Sequence, residues 1–130
     1  MSSMTRILDG EVLVHHLTQD ERLLDPALLG RHGRTARTLV KEGPLRLTIM
    51  GIAAGGALPA HRAEAHVTVH LLEGEVTFTA CGREYPLHTG DVLVIAPGVE
   101  HQARSTTGGV FLLTLLYLGP ESAVSDSVHE

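Results

Sequence analysis

The sequence contains very little cysteine, lysine and aromatic side chain. Cys81 is the single cysteine, so the 130-residue chain can form neither an internal disulfide nor a zinc or iron–sulfur site built from several cysteines. Tryptophan is absent, two Tyr and two Phe are present, and Lys41 is the single lysine beside nine arginines. No uncharged apolar run approaches the roughly 18 residues that a membrane span needs.

The charge balance is acidic. Ten Lys and Arg against fifteen Asp and Glu give a formal net charge of −5 at pH 7. This balance argues against a nucleic-acid partner, because a nucleic-acid scaffold should show a basic patch. The first residues lack the apolar core of a secretory signal, so we expect a cytoplasmic protein. A mass of 13.9 kDa with 43% hydrophobic and 19% charged residues fits one globular domain.

The first 34 residues are predicted to be a lead-in to this domain. Val12 and Val14 stand at alternate positions and indicate a short strand over 11–17. Thr18 followed by Glu21 is typical of a helix start, and Pro26 limits the helix to a turn or two that ends over 30–33. At the other end, residues 119–130 show no apolar period and are expected to be disordered.

Residues 35–118 are predicted to form an all-β barrel or sandwich. Eight or nine short alternating segments are separated by glycine and proline turns, and the helices of a parallel α/β sheet are missing. Within this stretch, Glu73 and Gly74 separate two alternating runs and are interpreted as a tight hairpin turn.

Histidine is the abundant residue type, with nine copies, and histidine is the commonest metal ligand. Gly90, Gly98 and His101 stand at the spacing of the second cupin motif, with its proline moved by one place to Pro97. Gly55, His61 and Gly74 stand at the spacing of the first motif. The chain therefore resembles the cupin superfamily, which implies a jelly-roll barrel, or double-stranded β-helix, over 35–118.

The resemblance implies a metal site on the inner wall of this barrel. His61 and His101 occupy two of the four ligand positions, whereas the other two positions hold Ala63 and Val67. Three replacements are open: His66, His70 and Glu64. Side chains alternate along a strand, so His66 and His70 should face away from His61 unless the register shifts near the turn at 62–66. His66 is nearest to that turn, and we predict the ligand set His61, His101 and His66.

A small-molecule pocket is expected beside these histidines. Its predicted lining is Met50, Val69, Phe78, Leu93 and Phe111. The resulting hypothesis is a single-domain cupin that binds a small molecule, either at one weakly held Fe, Mn, Ni or Zn ion or with no metal. The alternative is a metal-dependent cupin enzyme of the dioxygenase, isomerase or lyase type. Because the resembling small cupins form dimers, we also expect a homodimer.

Overall fold

The computed structural model describes residues 11–17 and 30–119, and these form an antiparallel β structure. Residues 30–32 are helical and precede the first strand. The strands are β1 (Arg34–Glu42), β2 (Leu45–Ile52), β3 (Ala57–His61), β4 (Ala65–Ala80), β5 (Arg83–His88), β6 (Val92–Ile95), β7 (His101–Arg104) and β8 (Gly109–Tyr117). The predicted all-β class is therefore confirmed. Over the same residues, no helix is long and apolar enough to cross a bilayer.

One long strand holds the two layers of the molecule together. The strands follow the order β1-β2-β8-β4-β7-β3, and β5 and β6 also pair with β4. The first half of β4 pairs with β8 and β6 in one layer, and its second half pairs with β5 and β7 in the other. The sheet consequently curls about β4, which leaves β1 and β3 at its two ends.

The predicted hairpin at Glu73 and Gly74 is wrong. Both residues lie inside β4, which continues from Ala65 to Ala80. The register of β4 against β8 shifts between Leu71 and Glu73, and Gly74 has a positive φ of 82°. These two features make a corner at which β4 passes from one layer to the other. A corner and a hairpin both place glycine between alternating runs, so the local pattern could not distinguish them.

The core lies between the two layers. Its buried members are mainly the inward residues of β4 and the residues that face them, namely Ile52, Ala65, Val67, Val69, Leu71, Val76, Phe78, Leu87, Ile95, Ala103, Phe111 and Leu115. A second cluster covers the outer face of β1 and β2 and contains Leu39, Val40 and Ile49. Leu17 packs against this second cluster, which attaches the lead-in to the outside of the sheet.

The predicted strand over 11–17 is also wrong. Residues 11–17 have no strand hydrogen bonding, and Val12 and Val14 are 80% and 66% exposed. An alternating segment forms a strand only where another strand pairs with it, and none of the described strands pairs with residues 11–17. The helical turn expected from Thr18 onward lies outside the described residues, apart from residues 30–32. The tail beyond Gly119 lies outside them as well.

Gly74 offers a direct test of the corner. A Cβ at Gly74 would collide with the Gly108 carbonyl oxygen and come within 2.9 Å of the Gly109 Cα, whereas a Cβ at Gly82 meets nothing within 4 Å. Both glycines have positive φ, so Gly82→Ala should cost about 1 kcal/mol of unfolding free energy through backbone strain alone. Gly74→Ala should cost a further 1–3 kcal/mol or so through the collision. Urea unfolding measures both, and equal losses would contradict the corner.

We propose that the expected homodimer uses two apolar features of the surface. Val12 and Val14 lie in an unpaired alternating segment, and Val92 and Val94 of the edge strand β6 are 59% and 68% exposed. Residues 11–17 of one copy can therefore pair with the edge strand β6 of the other copy. The same contact in the opposite direction completes a two-fold symmetric dimer. Light scattering at micromolar concentration should give a dimer mass.

The matched variants are Val94→Glu, which puts a charge on this edge, and Ala60→Glu, which adds the same charge at an exposed position of β3, in the other layer. Val94→Glu should give a monomer, whereas Ala60→Glu should remain a dimer. A monomer mass for the unmodified chain would refute the proposal.

Candidate functional site

Two imidazoles that are distant in sequence meet on neighbouring strands. β3 pairs with β7 in a register that places His61 opposite His101. The two rings stand edge to face, with centroids 4.8 Å apart and planes at 81°. His101 is buried at 8% exposure, whereas His61 is exposed. The pair therefore has one desolvated and one solvated imidazole.

A tight turn before β7 orients His101. Ala96 accepts a hydrogen bond from the Val99 amide at 3.3 Å, Pro97 and Gly98 are the central residues, and Gly98 has a φ of 80°. This is the arrangement of a type II turn, in which proline suits the first central position and glycine the second. The turn explains why Pro97, one place from the usual motif position, is accommodated. It also places the Val99 carbonyl oxygen beside the His101 ring.

His101 is held as a neutral imidazole with one defined tautomer. Its Nδ1 lies 3.0 Å from the Val99 carbonyl oxygen. A carbonyl only accepts, so Nδ1 carries the proton and Nε2 keeps its lone pair. Burial lowers the pKa of His101 below its ordinary value; the bond to Val99 opposes this shift, and the charge of His61 adds to it. At neutral pH the site accordingly presents a hydrogen-bond acceptor.

A cavity of about 300 Å³ opens beside the two histidines. Its walls are mainly apolar and come from both layers; the lining residues are Arg34, Met50, Leu58, Pro59, His61, Phe78, His101, Gln102, Ala103, Phe111 and Leu113. Phe78 and Phe111 contact each other edge to face at 5.6 Å, and Phe78 lies 6.5 Å from the His101 ring. The aromatic pair thus connects the imidazole to the core.

Two of the five predicted pocket residues do not line this cavity. Met50, Phe78 and Phe111 do, whereas Val69 and Leu93 are opposite each other in the pairing of β4 with β6 and pack in the core. Both face inward as alternation requires, but inward residues at that position meet other side chains rather than open space. Arg34, Leu58 and Gln102 were not predicted from the sequence, since no motif includes them.

His66 does not join the histidine pair. Along the start of β4, Ala65, Val67 and Val69 are buried, while His66 and His70 are exposed on the opposite face. The burial pattern along the start of β4 therefore follows simple alternation. The prediction of His66 as third ligand is therefore wrong, and His70 is displaced for the same reason. Glu64 lies exposed in the bend before β4.

A family model for the cupin domain matches residues 48–117, from β2 to the end of β8. The chain belongs to the cupin family. A search of curated proteins finds no match to this cupin.

Solved structures that resemble this cupin have low sequence identity. A conserved protein of unknown function from Streptococcus pyogenes is 22% identical, with a TM-score of 0.67 over 92% of this chain and 97% of that one. An RmlC-like cupin from Desulfovibrio desulfuricans is 24% identical, with a TM-score of 0.69 over 82% and 97%. A predicted oxalate decarboxylase from Thermotoga maritima is 22% identical, with a TM-score of 0.61 over 65% and 81%. These likenesses confirm the jelly-roll fold.

The residues of this cupin do not fit the metal site of the motif. Two of the four ligand positions hold hydrocarbon side chains, Ala63 and Val67, and Val67 is 2% exposed within the core. Throughout 11–17 and 30–119, no three His, Cys, Asp or Glu side chains come together to hold a cation. His61 and His101 supply two nitrogen donors, fewer than the three or four protein ligands of a firm transition-metal site.

The lowered pKa of His101 predicts a specific pH dependence of stability. The unfolded chain binds a proton to this imidazole at a higher pH than the folded chain, so stability is fully present above the unfolded pKa near 6.5 and falls as pH drops toward the folded pKa. His101→Asn, whose amide can still donate to Val99, should remove this loss. Urea unfolding between pH 8 and pH 5 measures it, with His70→Asn as the exposed control. Parallel curves for the unmodified chain and His101→Asn would contradict the assignment.

Proposed function

We propose that this cupin binds a small, partly apolar organic molecule inside its barrel and contacts it directly through side chains. The cavity beside His101 carries this proposal. Ligand sites are typically concave and mostly apolar, with a few placed polar groups, and about 300 Å³ falls at the small end of their range. A compact molecule of one ring or a short chain suits this space.

The buried imidazole supports a direct contact with the ligand. Nε2 of His101 is an acceptor in a desolvated position, and a buried acceptor without a partner costs about 1–3 kcal/mol. A ligand hydroxyl or N–H that donates to Nε2 removes this cost, whereas a purely hydrocarbon ligand leaves it. Phe78 lies on one side of the ring and offers an apolar surface to the rest of the molecule. The site thus favours a ligand with one donor on an apolar body.

The second candidate function is the metal-dependent enzyme. Its supporting observation is the bond from His101 Nδ1 to Val99, because metal-binding histidines commonly donate their other nitrogen in this way. His61 and His101 would hold the ion, and any remaining ligands would have to come from solvent or substrate. An ion held by two imidazoles would be weakly bound. We therefore favour direct binding. The cytoplasmic location remains a prediction from the N-terminal sequence.

A fragment screen tests direct binding. Protein stripped of metal by a chelator is titrated with a panel of small ring compounds and short-chain alcohols, acids and amides, and the His101 imidazole signal is followed by NMR. Binders should shift this signal, and His70→Ala should bind them equally. Met50→Trp or Leu58→Trp, each of which fills the cavity from a different strand, should weaken binding at least tenfold.

Three results would oppose the proposal. The first is that no fragment shifts the His101 signal, and the second is that fragments bind both tryptophan variants as tightly as the unmodified chain. Binding that arises only after Fe, Mn, Ni or Zn is restored, and is lost in His101→Ala, would instead support the metal-dependent alternative.

A further inference from the structure

The charged groups that the described residues place around the cavity are of one sign. Among these lining residues, Arg34 is the permanently charged side chain, His61 and His101 are the titratable ones, and none is Asp or Glu. The whole chain has fifteen Asp and Glu and a net charge of −5. Because the described lining carries positive charge and no carboxylate, its local electrostatic field differs in sign from the average over this acidic protein.

Arg34 occupies the gap between the two ends of the curled sheet. It begins β1, and its Nη1 donates to the Ala57 carbonyl oxygen of β3 at 3.4 Å. β1 and β3 are the two terminal strands of the sheet order, so this side chain reaches across the opening of the barrel. Within the described part of the chain, no Asp or Glu forms an ion pair with Arg34. Of its five N–H donors, the hydrogen bond to the Ala57 carbonyl oxygen engages one.

The same guanidinium borders a second depression. This depression has a volume of about 510 Å³ and is lined by His32, Arg34, Thr35, Ala36 and Met50. Arg34 and Met50 are common to both cavities, which are therefore adjacent. None of these described lining residues is a carboxylate either. Arg34 thus borders both cavities, and the lining of the first is mainly hydrocarbon beyond this charge.

We infer that the ligand is a small organic monoanion, a carboxylate on an apolar ring or short chain, whose carboxylate pairs with Arg34 while its apolar body contacts Phe78 and Phe111. This inference rests on the proposed binding function and names its ligand class. Guanidinium binds carboxylate through two parallel hydrogen bonds, which gives orientation as well as affinity. One permanent cation balances one negative charge, and the neutral His101 provides no second partner for a dianion.

The probes are 4-hydroxybenzoate and 4-hydroxybenzamide, called benzoate and benzamide below. They share a ring and a hydroxyl donor for His101 Nε2, and their planar head groups differ in charge. Calorimetric or NMR titrations compare the unmodified chain with Arg34→Gln, Arg34→Lys and Arg83→Gln. Arg83 lies exposed on β5, so Arg83→Gln makes the same change in net charge away from the cavity. Benzoate should bind Arg34→Gln about tenfold to a hundredfold more weakly than the unmodified chain. The affinity of Arg34→Lys for benzoate should lie between those of Arg34→Gln and the unmodified chain.

The remaining measurements test the same contact between Arg34 and the carboxylate. Arg83→Gln should bind benzoate like the unmodified chain, and benzamide should be insensitive to Arg34→Gln. Added salt should weaken benzoate binding more than benzamide binding. Unfolding curves of Arg34→Gln check that this exposed substitution leaves the fold intact.

Each failure has a distinct meaning. If benzamide binds as tightly as benzoate, and Met50→Trp abolishes both, the monoanion inference is overturned while cavity binding stands. If benzoate needs Arg34 but ignores Met50→Trp and Leu58→Trp, the anion binds on the surface, and both proposals fall. Equal benzoate affinity in Arg34→Gln and the unmodified chain overturns the inference outright.

Discussion

The corner in β4 at Gly74 is the constraint on which the rest of this molecule depends. Before it, β4 pairs with β8, and beyond it, β4 pairs with β7. Phe78 lies after the corner opposite Ala103, and Leu71 lies before it opposite Phe111. Because one strand serves both layers, the two phenylalanines from different layers meet at 5.6 Å and form one wall of the cavity. A flat sheet with the same pairings would leave them on separate surfaces.

A compact polar network holds this corner. The hydroxyl of Ser105 donates to the Glu75 carbonyl oxygen and accepts from the Gly108 amide at 2.8 Å, and the Gly108 carbonyl accepts from the Glu75 amide at 3.1 Å. Thr107 Oγ1 donates to the Glu75 carboxylate at 3.1 Å. Desolvation raises the pKa of Glu75, but the bonds from Thr107, Thr106 and Ser105 outweigh it and leave the pKa below its ordinary value. The bend is thus fixed by bonds from the loop before β8, where a side chain at Gly74 has no room.

Sequence patterns predicted the inner face of the barrel well, because that face obeys strict alternation. The outward placement of His66 and His70 follows from the same rule. His66 was wrongly predicted as third ligand because that prediction assumed a register shift near the turn before β4. The motif spacing led to His61 and His101 because their meeting is fixed by strand pairing. Other features depend on which strands become neighbours, and no local pattern records that. Arg34 reaches the cavity only because β1 and β3 become the two ends of one curled sheet, and Glu73–Gly74 is a corner only because the halves of β4 find different partners.

Replacing two metal-ligand positions by Ala63 and Val67 changes what the remaining histidines can do. In a complete metal site, an imidazole gives its lone pair to the ion and is no longer available to an organic ligand. Here Val99 fixes the tautomer of His101, burial keeps it neutral, and the lone pair of Nε2 is available for a hydrogen bond. Among the described lining residues, the permanent charge at the cavity is then that of Arg34. In the binding mode that we propose, the protein therefore supplies the cation itself and the ligand supplies the anion.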